Sequence, residues 1–387
     1  MNVRDVQQAL EATRAPLNRA SNLPAFCYTS PEWYAREIEQ IFRKEWIYVG
    51  HRGQLARAGD YFTAQIGDEP ILIVRGEDGQ TRAFSNVCRH RASLVAAGEG
   101  QCRAFVCPYH RWTYGLCGEL LGTPGRRDPM NEAEGFDPAQ NGLLRVGLET
   151  WGGFLFVNFD EAAPPLLSWL GDLPLKLGNY KLEEMVVTRR VSWSVDCNWK
   201  VFMENSIEEY HVETLHRKHL PRDNPNLVVV EESRGPFALR FTPASITAKG
   251  SPFPPMPGLS EKERTGTYPL ALFPNTNLIV GNHFAKVLQH LPNAVERCTM
   301  TLSFLFPPEV VSQPEFAAYS DQSYRYTDEL LAEDTSISPQ VQQGLRSRLR
   351  RPGRFSKQEG AVHAFQNYVL GRVLAADEGR PTPAENR

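Results

Sequence analysis

Nothing in this 387-residue chain approaches the ~18 consecutive apolar residues that a membrane-spanning helix needs. Met1 to Pro16 mixes Arg4, Asp5, Glu11 and Arg14 and has no apolar core of the kind an export signal requires. The expectation is therefore a cytoplasmic protein with no membrane span. No block of one charge sign is present either. The 42 basic and 45 acidic residues are interspersed and leave a net charge of −3, which gives no reason to expect nucleic acid or an anionic membrane as partner. A strand–GxGxxG–helix unit is missing, so the chain has no dinucleotide-binding fingerprint of its own. Internal repeats and low-complexity segments are missing too. The seven cysteines are an odd count in a long chain without an export signal, which argues against a disulfide framework. Clustered cysteines then read as metal ligands.

What is present divides the chain by texture. Ser30 and Pro31 open a helix over 31–44, an N-cap followed by proline at the first helical position. From Trp46 to about Asp160, short β-rich runs alternate with Gly, Asp, Asn and Pro turns, the pattern of a small antiparallel domain. Residues 161–180, with Pro164, Pro165 and Pro174, read as a linker. Beyond them the sequence predicts a strand over 185–196 and a helix from Trp199 to His216. Strands near 227–241, 267–290 and 297–306 follow, then helices over 314–332, 339–350 and 355–375, and a polar, frayed tail from Asp377. The class is α+β, in three parts: an N-terminal helical segment 1–45, a β module 46–160 and a larger domain 161–387.

Two groups of residues carry chemistry. Cys88 and His90 form a Cys-x-His pair, and Cys107 and His110 a Cys-x-x-His pair, with sixteen residues between His90 and Cys107. Each pair lies between a β run and a turn, so both can occupy loops at one end of a sheet. Two thiolates on one iron and two imidazoles on the other make a mixed-ligand [2Fe–2S] centre with a raised potential. A Cys₂His₂ zinc site is the alternative, but its ligand types are grouped, whereas here they alternate. Cys102 and Cys117 are then spectators, and Cys27, Cys197 and Cys298 ordinary thiols. The second group is Glu208, His211 and His216, in a stretch that also holds Glu204, Glu209, Glu213 and His219. On a helix Glu208 and His211 share a face, but His216 lies about 140° further round than His211. A common metal therefore needs that helix to distort or end. Two imidazoles and a carboxylate on one face of an iron form the O₂-activating facial triad.

Taken together these segments resemble the Rieske non-haem iron oxygenases, the ring-hydroxylating enzymes and their relatives, over about residues 25–375. The shared features are C-x-H, a 15–17-residue spacer and C-x-x-H, then N-W-K at Asn198–Lys200, E-N at Glu204–Asn205, and acid-x-Tyr-His-x₄-His. The resemblance implies that Cys88, His90, Cys107 and His110 hold a Rieske [2Fe–2S] cluster and that His211 and His216 bind a mononuclear Fe(2+). It implies that Asp334, followed by Gln343, Gly344 and Leu345, is the third ligand. Glu333 would face another side, Asp328 lies one to two turns earlier, and a helix-capping role for Asp334 is the plain alternative. Glu208 is implied to bridge to a cluster histidine of a neighbouring subunit. Many ring dihydroxylases have Asp there, and a similar Glu occurs in relatives that oxidise carnitine-like quaternary amines. Glu209 and Glu213 read as solvated, and His219 as solvated or as a support behind the ligands. Ala92 and Arg111 stand where the family commonly has Gly.

The implied fold is an antiparallel Rieske domain inserted before a helix-grip, Bet v1-like catalytic domain. The implied activity is a terminal oxygenase that receives electrons from NAD(P)H through a separate flavin/iron–sulfur reductase, with a ferredoxin as a further option. Its expected substrate is a small aromatic compound or aromatic acid, as in aromatic hydrocarbon catabolism, which it hydroxylates or dihydroxylates. A carnitine- or betaine-like quaternary amine, oxidised with C–N cleavage, is the alternative. A Rieske electron carrier without oxygenase activity is the rival from another class, and it has no use for His211, His216 and Asp334. The implied assembly is a head-to-tail homotrimer, or a heterohexamer with a small beta subunit. The pocket is expected within 200–310 and the 314–332 helix, with Phe241, Phe273, Phe284 and Phe304 as wall or core.

Overall fold

The computed structural model describes residues 3–124, 129–219, 229–230, 233–243 and 251–378. The expected frayed tail and part of the strand near 227–241 therefore lie outside the described residues. The chain forms two compact units, one of Trp46–Leu166 and one of Met1–Glu45 with Leu167–Arg387.

The first unit is built from antiparallel strands. They are β1 (Ile47–His51), β2 (Asp60–Ile66), β3 (Glu69–Arg75), β4 (Thr81–Ser85), β5 (Glu99–Gln101), β6 (Phe105–Val106), β7 (Thr113–Tyr114), β8 (Leu120–Gly122), β9 (Arg145–Trp151) and β10 (Phe154–Asn158). Seven of them form a sheet in the order β1-β10-β9-β4-β3-β2-β5, and β6-β7-β8 make a small second sheet. The core beneath the small sheet joins Leu72, Val74 and Phe84 to Phe105, Trp112, Tyr114 and Leu116, with Cys88 and Cys107 inside it.

The second unit carries another seven-stranded antiparallel sheet, in the order β11-β17-β16-β15-β14-β13-β12. Its strands are β11 (Val186–Val195), β12 (Val229–Val230), β13 (Phe237–Pro243), β14 (Gly266–Leu272), β15 (Thr276–Gly281), β16 (Phe284–Ala294) and β17 (Arg297–Phe306). Five helices matter here: α1 (Val3–Arg14), α2 (Pro31–Glu37), α3 (Trp199–Ser206), α4 (Phe316–Leu345) and α5 (Gly360–Glu378). Helix α3 packs on β15, β16 and β17, and α4 packs on α3 and β11.

Several boundaries differ from expectation for local reasons. The helix expected to reach His216 stops at Ser206, and turns follow to His219. The Glu208 carboxylate accepts the backbone N–H groups of Tyr210 and His211, which would otherwise serve helical carbonyls. The two helices expected over 314–332 and 339–350 are one 30-residue helix, α4, with Pro339 inside it. Proline removes one helical hydrogen bond, and here packing of α4 along its length overrides that local signal. The expected linker contains two short helices, Leu166–Leu170 and Leu173–Lys176.

The N-W-K motif explains how α3 is fixed. The Asn198 side chain caps it by accepting Lys200 N–H, while Lys200 Nζ pairs with fully buried Glu37 of α2 at 2.7 Å. The indole N–H groups of Trp33 and Trp199 donate to the same carboxylate. A buried ion pair satisfied this completely fixes one arrangement, and losing either partner leaves a costly lone charge.

Candidate metal centres

In the first unit the two pairs occupy loops of matching build. Cys88 N–H donates to Ser93 C=O and Ala92 N–H to Cys88 C=O, at 2.8 and 3.0 Å. Cys107 N–H donates to Trp112 C=O and Arg111 N–H to Cys107 C=O, again at 2.8 and 3.0 Å. Each loop turns on a left-handed residue four after its cysteine, Ala92 with φ 55° and Arg111 with φ 62°. These are the two positions where the family commonly has glycine, and the conformation explains why.

The loops bring the four side chains together. The His90 and His110 ring centroids lie 4.5 Å apart, and His90 stacks on Trp112 at 4.9 Å. In both rings Nδ1 is buried without a hydrogen-bond partner, which is what a pair of metal-facing nitrogens requires. Burial, with the neighbouring His110 and Arg91, holds His90 below its ordinary pKa and so in the neutral, ligating form. Burial pushes the Cys107 thiol up, but backbone N–H groups of Tyr109 and His110, with Cys88 and Ser93, outweigh it and lower the value. Tyr114 accepts the Arg89 N–H at 3.0 Å and places its own hydroxyl 3.2 Å from Cys88 Sγ. Cys102 is half-buried and Cys117 exposed, and both are free. Cys197 and Cys298, read as ordinary thiols, are buried and free with sulfurs 4.0 Å apart.

In the second unit His211, His216 and Asp334 converge, each offering one ligand atom within 4.8 Å of the others. His216 Nε2 lies 3.2 Å and His211 Nε2 3.7 Å from Asp334 Oδ1. Asp334 is buried in the middle of α4, so it caps nothing. The opposite nitrogens are held as well: His211 Nδ1 by Glu208, and His216 Nδ1 by Glu333 at 2.8 Å. A carboxylate behind each imidazole fixes its tautomer and raises its basicity toward a metal. Burial pulls the His216 pKa down, but Asp334 and Glu333 outweigh it and raise it overall.

The remaining acids and histidine sort by their partners. Glu333, expected to face away, is the support of His216: one helical residue from Asp334, it reaches the far side of the same ring. Asp328 makes a two-pronged ion pair with Arg189 at 2.7 and 2.8 Å, which removes it as a ligand. Glu209, expected on a solvated face, pairs with buried Arg240 at 3.1 Å. Glu213 is exposed, and His219 stays outside the triad with Glu329 and Glu333 nearby. Asn205, which the sequence offered only as part of the E-N motif with no role, donates to Asp334 Oδ1 at 3.3 Å. Phe241, Phe273, Phe284 and Phe304 are all buried.

One unit with a mixed Cys/His pocket and another with a His/His/carboxylate pocket define a protein that combines electron transfer with iron-dependent chemistry. Comparison with known proteins agrees. Residues 45–136 match the Rieske [2Fe-2S] domain and residues 182–375 the ring hydroxylating alpha subunit (catalytic domain). The chain is 31% identical to the glycine betaine monooxygenase oxygenase subunit of Chromohalobacter salexigens, covering 92% of this chain and 86% of that protein. It is 28% identical to the chloroplastic choline monooxygenase of Beta vulgaris, covering 92% and 77%. The crystal structure of the quaternary ammonium Rieske monooxygenase CntA with its substrate gamma-butyrobetaine superimposes with a TM-score of 0.77 at 26% identity, over 96% of this chain and 99% of that one.

The chain belongs to the Rieske oxygenase alpha subunits. It is an oxidoreductase whose cofactors are a [2Fe–2S] cluster and a mononuclear iron, and subunits of this kind work with a reductase and form oligomers. Among the described residues, no helix is long and apolar enough to cross a membrane.

Proposed function

We propose that this chain is the oxygenase component of a monooxygenase acting on a quaternary amine, oxidised with C–N cleavage. The convergence of His211, His216 and Asp334, each imidazole backed by its own carboxylate, is the observation that carries the oxygenase chemistry. Relatives that oxidise choline and glycine betaine, spanning over nine-tenths of the chain, support the substrate class and move it away from the aromatic compounds first expected.

In this reading Cys88, Cys107, His90 and His110 hold the cluster, the histidines through Nδ1, and His211, His216 and Asp334 hold the iron. When bound, these groups supply stepwise electrons and O₂ activation. The chain's own residues set the conditions. Glu208 and Glu333 hold the two imidazoles at Nδ1 and so aim Nε2 at the metal position, Asn205 steadies Asp334, and Tyr109 and His110 N–H groups favour thiolate at Cys107. Each turnover takes O₂, two electrons and two protons, places one oxygen on a carbon beside nitrogen, and releases the other as water. The resulting carbinol then collapses to a carbonyl compound: the C–N electron pair leaves with the tertiary amine, and the hydroxyl proton is released. Glu208, which already holds His211, is the bridge to a cluster histidine of a neighbouring subunit in a homotrimer, and a separate flavin/iron–sulfur reductase draws on NAD(P)H.

Oxygen uptake and product analysis with a generic reductase test the substrate class. Coupled turnover of glycine betaine, carnitine or choline is expected. Coupled turnover of aromatic acids alone would reject the proposal.

A further inference from the structure

Among the described residues of the second unit, the buried Lys and Arg side chains are matched by acids with one exception. Lys200 has Glu37, and Arg240 has Glu209. Lys286, on β16, is 7% exposed and has no carboxylate partner among the described residues. Its Nζ donates to Thr327 Oγ1 at 3.0 Å, and that hydroxyl in turn donates to the Ser323 carbonyl. The rings of Phe304 and Phe284 lie with centroids 5.3 and 5.5 Å from Nζ, and His283, held neutral by burial and by this charge, is nearby. Two of its three N–H bonds thus have no acceptor among the described residues. A buried ammonium in this state is costly and persists where something outside the fold completes it. Burial pushes its pKa down to about 8, which leaves it protonated at neutral pH.

Position ties this charge to the metal site. Thr327 and Asp334 are seven residues apart on α4, two turns along the same face, hence about 10 Å apart along the axis. Both are buried members of one α4 stripe that also includes Leu331 and Ser338. On β16, Lys286 shares its sheet face with Leu288 and His290, and His290 meets Phe202 of α3. Lys286 therefore stands between sheet and helix, a short molecule's length from the three converging ligands.

We propose that Lys286 binds the carboxylate of the substrate, so that the quaternary amine this enzyme oxidises is a short zwitterion with a carboxylate remote from the reacting carbon. This rests on the quaternary-amine reading and narrows it, because the relatives include enzymes for an amine with a carboxylate and for one without. A carboxylate 2.7–2.9 Å from Nζ would supply the missing acceptors as a charge-assisted hydrogen bond.

The test compares loaded wild-type enzyme with Lys286→Met. Kd and kcat/KM are measured for glycine betaine, gamma-butyrobetaine, choline and benzoate. Wild type should prefer a zwitterion to choline, and the variant should lower that preference about 30-fold or more, mainly through Kd and KM. Because the charge is unmatched in the ligand-free protein, the variant should unfold at the same or a higher temperature than wild type. A structural lysine would instead lower it. A wild-type preference for choline, or equal losses for zwitterion and choline, overturns the anchor while leaving the quaternary-amine function standing. If only benzoate binds, the quaternary-amine reading falls. The anchor then survives only if Lys286→Met weakens benzoate. Binding of choline alone overturns the anchor only, and binding of none of the four overturns both.

Discussion

Tyr114 shows how one hydroxyl can set a property of the whole electron path. Burial and the adjacent Cys88 sulfur keep its proton on, so it serves as donor to Cys88 while accepting Arg89 N–H. Reduction adds negative charge to the cluster, and a donor to sulfur favours that state. Tyr114→Phe should lower the cluster's potential by roughly 40–60 mV, the equivalent of about one hydrogen bond. Potentiometric titration of the cluster checks this, and an unchanged potential places the hydroxyl elsewhere. Glu204 is a second single-residue case. It is half-buried on α3, takes hydrogen bonds from Tyr28 and Gln366, and is pushed by desolvation of its carboxyl up to about 7. A carboxyl raised above its ordinary 4.5 stabilises the native state through its protonated form. That stability is complete below about pH 4.5 and is lost as pH rises through about 7. Glu204→Gln keeps both hydrogen bonds and cannot ionise. Relative to the variant, wild type should lose about 3 kcal/mol between pH 4.5 and 8 in denaturant titrations. Parallel curves would show that Glu204 is charged throughout.

At the scale of elements, the two cluster loops carry strain that the sequence shows only as a departure from family habit. An alanine and an arginine held at φ 55° and 62° cost about 1 kcal/mol each relative to an ordinary conformation. Ala92→Gly should raise the melting temperature of the protein, a gain of about 0.5–1 kcal/mol after the entropy of glycine is counted. A lower melting temperature would mean that the alanine methyl packs usefully. The mixed Cys/His pocket was legible in the sequence because Cys88, His90, Cys107 and His110 sit in two tight local loops, where spacing and chemistry coincide. The iron site was legible only in part. His-x₄-His does not close on one helix, and the answer lay in the end of α3 at Ser206 and in turns held by the Glu208 side chain. Separate helices were expected over 314–332 and 339–350, yet α4 runs through Pro339 and buries Asp334 mid-helix. Glu333 could not be assigned from sequence, because its partner, His216, lies 117 residues away.

At the scale of the molecule, two compact units each hold one constellation, and neither shares a ligand with the other. Loss of one centre should therefore leave the other intact. The most direct test of this account is iron and acid-labile sulfide analysis of the anaerobically purified wild type and His211→Ala. A cluster plus one iron requires three iron and two sulfide per chain in wild type. The variant should retain two of each, with an unaltered Rieske spectrum. Two iron and two sulfide in both proteins would contradict the mononuclear site, and loss of sulfide in the variant would contradict the independence of the two centres.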